Sequence, residues 1–301
     1  MTPWPVQQTF GLVVVGRRLG FDLVVVGKRL GVLLLAVAAY CTAAGLLVRT
    51  FEIRVISRGG ATSLINTLIL SLLLSFRNRA AYDRWWSARG LWGQLTNDTR
   101  NLAAKCAAFL PAEVLARSRV ADLLVAFAEA LKRHLRAEPP RLRELPGFEH
   151  EAADPPHVPL YLAGRLFAAV AEWKRDGHVD GAVLWVLDAH LRGLLDVCGG
   201  CEKIRFTPPS PSYVGLLRGG LVLNVLVAPW LTAPELGAWG VPLIVMVCFF
   251  LFGVEVIDSI VEEPFGRERD DLDLDRYCRT IRESVEAILP SASGPGRLGS
   301  T

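Results

Sequence analysis

Ionisable side chains are nearly missing from four stretches of this 301-residue chain, and that shortage shapes the reading. Gly31 to Val48, Ala61 to Phe76 and Leu236 to Val254 carry no Asp, Glu, His, Lys or Arg, and Tyr213 to Pro234 carries only Arg218. Proton pumps and ion-coupled transporters generally set Asp, Glu, His or Arg at membrane depth, so the scarcity argues against an active transporter. Charge of one sign is also scarce. A net charge of +3, spread along helices rather than gathered with aromatics, excludes nucleic acid as an expected partner. The six cysteines (Cys41, Cys106, Cys198, Cys201, Cys248 and Cys278) are scattered and do not form a secreted disulfide framework. Met1-Thr2-Pro3-Trp4-Pro5 has no basic n-region and no small-residue cleavage site follows an apolar run, so no cleaved signal peptide is expected. Nucleophile elbow, phosphate loop and HExxH are missing, and the five histidines show no ligand spacing. The expectation is a non-enzyme with no cofactor and no metal site.

What is present is apolar. Hydrophobic residues make up 51% of the chain and mean hydropathy is +0.34, yet 21% of residues are charged. That mixture fits membrane spans joined to a water-exposed portion. A lipid-crossing helix needs about 20 mostly apolar residues. Four spans follow, at about 30–49, 61–79, 213–234 and 236–256, the second of them short. Arg17, Arg18, Lys28 and Arg29 precede the first span, and Arg77, Arg79, Arg84 and Arg89 follow the second. The turn Thr232-Ala233-Pro234-Glu235-Leu236-Gly237 has no basic residue. The positive-inside rule then puts both termini in the cytoplasm of a multi-pass inner (plasma) membrane protein, against Arg49, Arg54 and Arg58 in the first external loop.

The remainder reads as one cytoplasmic helical part, about 80–211 and 257–290, within a single domain over 1–290. Leu91, Leu95, Leu102 and Ala103 form a helical stripe, and Val120 to Leu135 a second. Ala163 to Trp173 and Val179 to Leu195 give two more helical regions, with Glu138 to Pro159 as a surface loop. Residues 291–301 are Gly/Ser/Pro-rich and are expected to be disordered. The fold class is therefore all-α: four membrane helices and a helical cytoplasmic domain.

Few segments carry specific chemistry. Leu68, Leu72 and Phe76 fall at i, i+4 and i+8, one stripe of a helix whose other faces hold Thr62, Ser63, Asn66, Ser71 and Ser75. Such a stripe, ringed around an oligomer axis, makes a hydrophobic constriction. From spacing alone, packing comes before pore lining, because apolar stripes are ordinary helix cores. Upstream, Gly59-Gly60-Ala61-Thr62-Ser63 reads as a helix start whose dipole favours an anion. Cys198-Gly199-Gly200-Cys201 is a lone CxxC without the second pair a zinc site wants or the preceding strand of a redox motif. It reads as two buried thiols at a helix end. The acidic run from Glu262 to Asp275 fails as an EF-hand, since Arg276 and Arg282 stand where glycine and glutamate are required. Asp273 and Asp275 read instead as the N-terminal turn of a helix through Leu289.

The segment Phe76-Arg77-Asn78-Arg79-Ala80-Ala81-Tyr82-Asp83-Arg84-Trp85-Trp86 is more specific. With Glu202-Lys203-Ile204-Arg205 and Thr207-Pro208-Pro209-Ser210-Pro211, then Glu263-Pro264-Phe265-Gly266, then Asp271-Leu272-Asp273-Leu274-Asp275, it strongly resembles the bestrophin family, the bacterial branch most closely. The likeness runs from the first span to about Leu289, and Arg77, Asn78, Asp83, Arg84, Trp85, Pro264, Phe265 and Gly266 carry its signature. The resemblance implies a homopentamer around one ion pore, with four membrane helices per subunit and a helical cytoplasmic vestibule. Counted back from Arg84-Trp85-Trp86, the family's apolar pore neck falls on Leu68, Leu72 and Phe76, which sets pore lining ahead of packing for this stripe. Its lower aperture falls near Pro209, where the usual bulky apolar residue is missing. Animal members bind calcium through acids after the Pro-Phe-Gly motif; Arg267 and Arg269 interrupt that run here, and no calcium gating is expected.

The leading expectation is thus a passive channel for chloride or another monovalent anion, partnered by itself, the bilayer and permeant inorganic ions. Aromatic edges carry positive partial charge and favour anions; Phe76 is the only aromatic of the three neck residues. Two alternatives stand beside it: a monovalent-cation-selective member of the family, and a membrane-anchored scaffold or sensor whose cytoplasmic helices bind a protein.

Overall fold

The computed structural model describes residues 8–51, 60–110, 114–138, 141–150 and 154–289. The expectations for Met1 to Pro5, for Arg54 and Arg58, for Gly59 and for the 291–301 tail lie outside the described residues, as do the side chains of Thr62, Ser63 and Asn66. Among the described residues every regular element is helical. In chain order they are α1 (Gln8–Thr50), α2 (Gly60–Phe109), α3 (Val114–Leu135), α4 (Val158–Arg175), α5 (Gly181–Phe206), α6 (Pro211–Leu236), α7 (Gly240–Val261) and α8 (Leu274–Ile288), with single 3-10 turns at Leu142–Glu144 and Gly237–Trp239.

The chain divides into two compact units, Met1–Tyr82 with Pro209–Ser259, and Asp83–Pro208 with Ile260–Thr301. In the first, α1 and α6 pack together and meet α7 through Val37, Cys41, Val225, Ile244 and Cys248. A polar tie reinforces that contact. The Tyr40 hydroxyl donates to the Leu226 carbonyl at 2.6 Å and accepts from Trp230 Nε1 at 2.8 Å. It does so beside Pro229, which lacks a backbone donor and interrupts the α6 ladder. Pro211 opens α6, where a missing N–H costs nothing, and Gly237 closes it at φ +53.

Among the described residues, three stretches are long and apolar enough to cross a bilayer: Leu30–Thr50, Pro211–Pro234 and Gly237–Val261. The expected span at 61–79 is not among them; about half of its side chains lie outside the described residues. Nor does a helix stop there. With no proline from Gly60 to Phe109, α2 continues unbroken for 50 residues, contributing to both units.

In the second unit α3 is the central helix, buried on nearly every side: Ala121, Leu124, Ala126, Phe127, Ala128, Ala130 and Leu131 have no exposed surface. Around it lie α4, α5 and α8. Asp180 caps α5 by accepting from Val183 N–H at 2.7 Å, and Asp273 caps α8 by accepting from Arg276 N–H at 2.9 Å. Asp275, expected to complement the α8 dipole, also reaches Lys132 (2.8 Å) and Arg136 (3.0 Å) on and after α3. The segment expected as a surface loop between 138 and 159 is partly a plug. Its Leu142, Leu145 and Phe148 are buried, and Leu142 N–H donates to Asp154 Oδ1 at 2.8 Å.

Candidate functional site

The first part of α2 presents two faces. Leu68, Leu72 and Phe76 are exposed in the single chain, at 68%, 56% and 54%. Leu70, Leu74 and Arg77 line a small cavity with Leu217, Leu221 and Glu255. At about 100° per residue, these triads point to opposite sides of the helix. Arg77 fixes the rotation. Its side chain is 2% exposed, and it meets the Glu255 carboxylate through Nε (3.0 Å) and Nη2 (3.4 Å). Arg218 Nε reaches the same carboxylate at 2.7 Å from a largely exposed position. Phe76, one residue before a buried guanidinium, is thereby turned outward. Glu255 is a residue the sequence reading missed. Its only sequence signal is a single acid closing the apolar run of α7.

Two turns further along α2, Arg84 acts on carbonyls instead. Its guanidinium donates to Ile204 O (2.5 Å), Thr207 O (2.8 Å) and Glu262 O (3.2 Å). These are helix-end acceptors with no intrahelical donor of their own, which a charged fork with several N–H groups satisfies at once. Trp85 Nε1 donates to Asp270 O at 3.1 Å. The Arg84-Trp85 pair thus holds the segment after α5 and the loop after α7 together within the second unit. In that loop Leu272 N–H closes onto Pro264 O at 2.9 Å, and Phe265 is buried. Asp271 accepts from Glu268 N–H at 2.6 Å and its carboxylate overlies Gly266, where a Cβ would collide with Asp271 Oδ2. Burial raises the Asp271 carboxyl above the usual range against the hydrogen bond from Glu268 N–H, with the charges of Glu268, Asp270 and Glu263 adding to the rise. Arg267, one of the residues interrupting the acidic run, pairs with Glu138.

Asn78 and Asp83 have exposed side chains, and Pro209 is partly exposed in the short segment between α5 and α6. The two thiols of the CxxC are free and buried in the last turns of α5. Burial, with the Glu202 charge adding to it, pushes Cys198 up to about 12, and burial raises Cys201 as well. Gly200 is explained by packing, since a Cβ there would lie 2.9 Å from Leu91 Cδ2 of α2.

A second group was invisible in one dimension. His134 Nε2 and His157 Nε2 both meet Glu202 Oε1, at 2.9 and 2.7 Å, with Cys198 Sγ 3.7 Å from the same oxygen. The histidines lack ligand spacing along the chain, yet two of the five converge in space. Burial opposes the Glu202 charge, but the hydrogen bonds and charges of His157 and His134 outweigh it and hold its carboxyl below the usual range.

A family profile described as Bacterial/Fungal Bestrophin protein matches residues 23–287. A voltage-dependent anion channel-forming protein of Nostoc sp. is 33% identical over 260 residues, covering 82% of this chain and 84% of that one. The protein of that description named YneE in Escherichia coli K12 is 27% identical over 233 residues, 76% of each chain. Among solved structures, a variant of a bacterial bestrophin homolog from Klebsiella pneumoniae superposes with a TM-score of 0.79 at 25% identity, covering 86% of this chain and 98% of that one. The all-helical fold is that of the bestrophin structures. The chain belongs to the bestrophin family, in its bacterial and fungal branch, and is not an enzyme.

Proposed function

We propose that this chain is one subunit of a homopentameric, passive channel for inorganic anions such as chloride, with Leu68, Leu72 and Phe76 forming a hydrophobic neck around the axis. The observation that carries the reading is the division of α2 into opposite faces. Three bulky apolar side chains stand exposed on one, while the other is locked by Arg77 and Glu255. Five copies of that exposed face, turned toward a common axis, give stacked apolar rings, the arrangement that gates by dewetting. The names of the relatives support the anion assignment. In this reading the first part of α2 is a fourth membrane crossing, supported in its shortness by protein neighbours in the assembly, and Pro209 lies at the lower aperture. The termini lie in the cytoplasm and the protein sits in the inner membrane.

Purified protein in a planar bilayer under a potassium chloride gradient tests this. The expected reversal potential lies toward the chloride equilibrium; reversal toward potassium would assign cation selectivity, and a silent, well-folded pentamer would remove the conduction reading. Mass measurement of the detergent-solubilised complex gives the subunit number, and a monomer or dimer would favour a scaffold. Leu72→Ala should change conductance by widening and wetting the neck, and an unchanged conductance takes Leu72 out of the pore.

A further inference from the structure

We propose that His134, His157 and Glu202 form a site for a divalent transition-metal ion of the zinc class, with Cys198 as its fourth ligand. His134 lies in the last turn of α3, His157 caps the start of α4, and Glu202 and Cys198 stand one turn apart near the end of α5. One ligand atom from each of His134, His157 and Glu202 lies within 4.8 Å of the others. The two rings are 4.6 Å apart and tilted by 44°, so that their Nε2 edges converge.

The hydrogen-bonding pattern is what favours an ion over a simple polar staple. Two imidazole nitrogens and a thiol all aim at one carboxylate oxygen, Glu202 Oε1. A carboxylate has about four acceptor positions on two oxygens, so crowding three donors on one oxygen is a poor use of them. With the ligand atoms of His134, His157 and Glu202 this close together, a small shift away from Glu202 Oε1 would let them share one tetrahedral cation. The three residues of the triad keep 22–32% of their side-chain surface exposed, which leaves the group reachable from solvent. Two imidazoles, a carboxylate and a thiolate are a borderline-soft set that suits zinc, whereas calcium and magnesium take oxygen ligands.

Proton accounting sets the terms. His157 Nδ1 accepts from Leu160 N–H at 3.1 Å, so neutral His157 carries its proton on Nε2 and donates it to Glu202. For Nε2 to bind a metal, that proton must move to Nδ1, and Leu160 N–H gives up its acceptor. One helix cap is exchanged for a metal–nitrogen bond. Cys198 is protonated without metal and would release its proton to solvent on coordination, as ligated thiols do. The ion would then tie the end of α3, the start of α4 and the end of α5 together. His134 also stands edge-on to Phe206, 6.0 Å away, in the last turn of α5.

The inference is independent of conduction and is tested by binding. Full-length protein without a polyhistidine tag, stripped with a chelator, is titrated with zinc by calorimetry and with cobalt by absorption. The expected result is one ion per subunit, a rise in thermal midpoint, and tetrahedral cobalt bands. Cys198→Ser should remove the thiolate-to-cobalt charge-transfer band while keeping the stoichiometry; a spectrum unaltered by this change overturns the fourth-ligand assignment. His157→Asn keeps a strong helix cap and loses the imidazole. It should weaken zinc at least as much as the ~10–100-fold that loss of a second-shell partner costs. Zinc binding that is unchanged in His157→Asn and in His134→Gln, or no stoichiometric binding at all, overturns the site.

Discussion

Glu255→Ala should be among the most damaging single substitutions in the first unit. The reason is asymmetry between its two arginines. Arg77 is 2% exposed and holds Glu255 through both Nε and Nη2, whereas the Arg218 side chain is 57% exposed. Deleting one partner of a buried pair costs about 3–5 kcal/mol. Arg218 can return to water, and its share is that of an exposed pair, about 0–1 kcal/mol. Thermal unfolding of the detergent-solubilised protein, read with the elution profile of the intact oligomer, should therefore rank Glu255→Ala far below Arg218→Ala. Replacing both members, as in Arg77→Met with Glu255→Leu, should recover most of the loss, because well-packed apolar pairs often equal the ion pair they replace. The cycle should return a coupling of roughly 2–3 kcal/mol, at the upper end for contacting residues. Two results would refute the reasoning: a double variant no more stable than Glu255→Leu alone, or an Arg218→Ala loss equal to that of Glu255→Ala. Conductance adds a second readout, since Arg77 without Glu255 loses the contact that turns Phe76 outward.

Gly266→Ala should destabilise by about 1–2 kcal/mol, because its Cβ displaces Asp271 and costs the bond from Glu268 N–H; in an Asp271→Ala background the same change should be close to neutral in thermal unfolding. Arg84→Lys should lose about 2–3 kcal/mol, since one ammonium cannot serve carbonyls of Ile204, Thr207 and Glu262 together; full stability in the lysine variant would contradict the role given to the fork. The hydrogen bond from Lys132 is the chief reason the Asp275 carboxyl lies below its usual range; burial opposes this and Arg136 assists. A depressed carboxyl stabilises above its unfolded value, near about pH 4, and that stability is lost as pH falls through the folded value, so Asp275→Asn should flatten the acid limb of a stability–pH curve. Burial works to lower Lys132, but the hydrogen bonds it donates to Asp275 and Glu129 outweigh that and raise it, so its contribution holds below its unfolded value and is lost as pH rises through the folded one.

The helices were legible where apolar residues recur at helical spacing and a capping residue stands at the start. Leu91, Leu95, Leu102 and Ala103 lie on the buried stripe of α2 or beside it, and Asp273 heads α8 as an acid at a helix start should. Among the described residues, three of the four apolar runs correspond to stretches long and apolar enough to span a bilayer. The polar groups were not legible, for a physical reason. Glu255 meets Arg77 across 178 positions, and Glu202 meets His134 and His157 across 68 and 45. Such partners belong to different helices and leave no local pattern. The CxxC was legible as two buried thiols near a helix end. Its spacing suggests chemistry between its cysteines, whereas Gly200 accommodates Leu91 and Cys198 faces Glu202.

The arginines of α2 explain why its length was hidden. Hydropathy ends the second apolar run at Arg77, and Arg84 strengthens the impression of a helix that has left its core. The periodicity does not end there. Leu70, Leu74, Arg77, Ala81, Arg84, Ala88, Trp92 and Leu95 continue one stripe at spacings of three and four. Ala81, Ala88, Trp92 and Leu95 on it are buried, as is Arg77. Seven residues are about two helical turns, so Arg77 and Arg84 share a face. Their partners Glu255 and Glu262 are also seven apart, which puts each arginine 178 positions from the residue it meets after the same interval. Arg77 and Arg84 thus stand at two positions of an otherwise apolar stripe. One is neutralised by a carboxylate within its unit; the other serves three carbonyls within its own. Each guanidinium donates to fixed acceptors, the condition on which a packed interior tolerates charge.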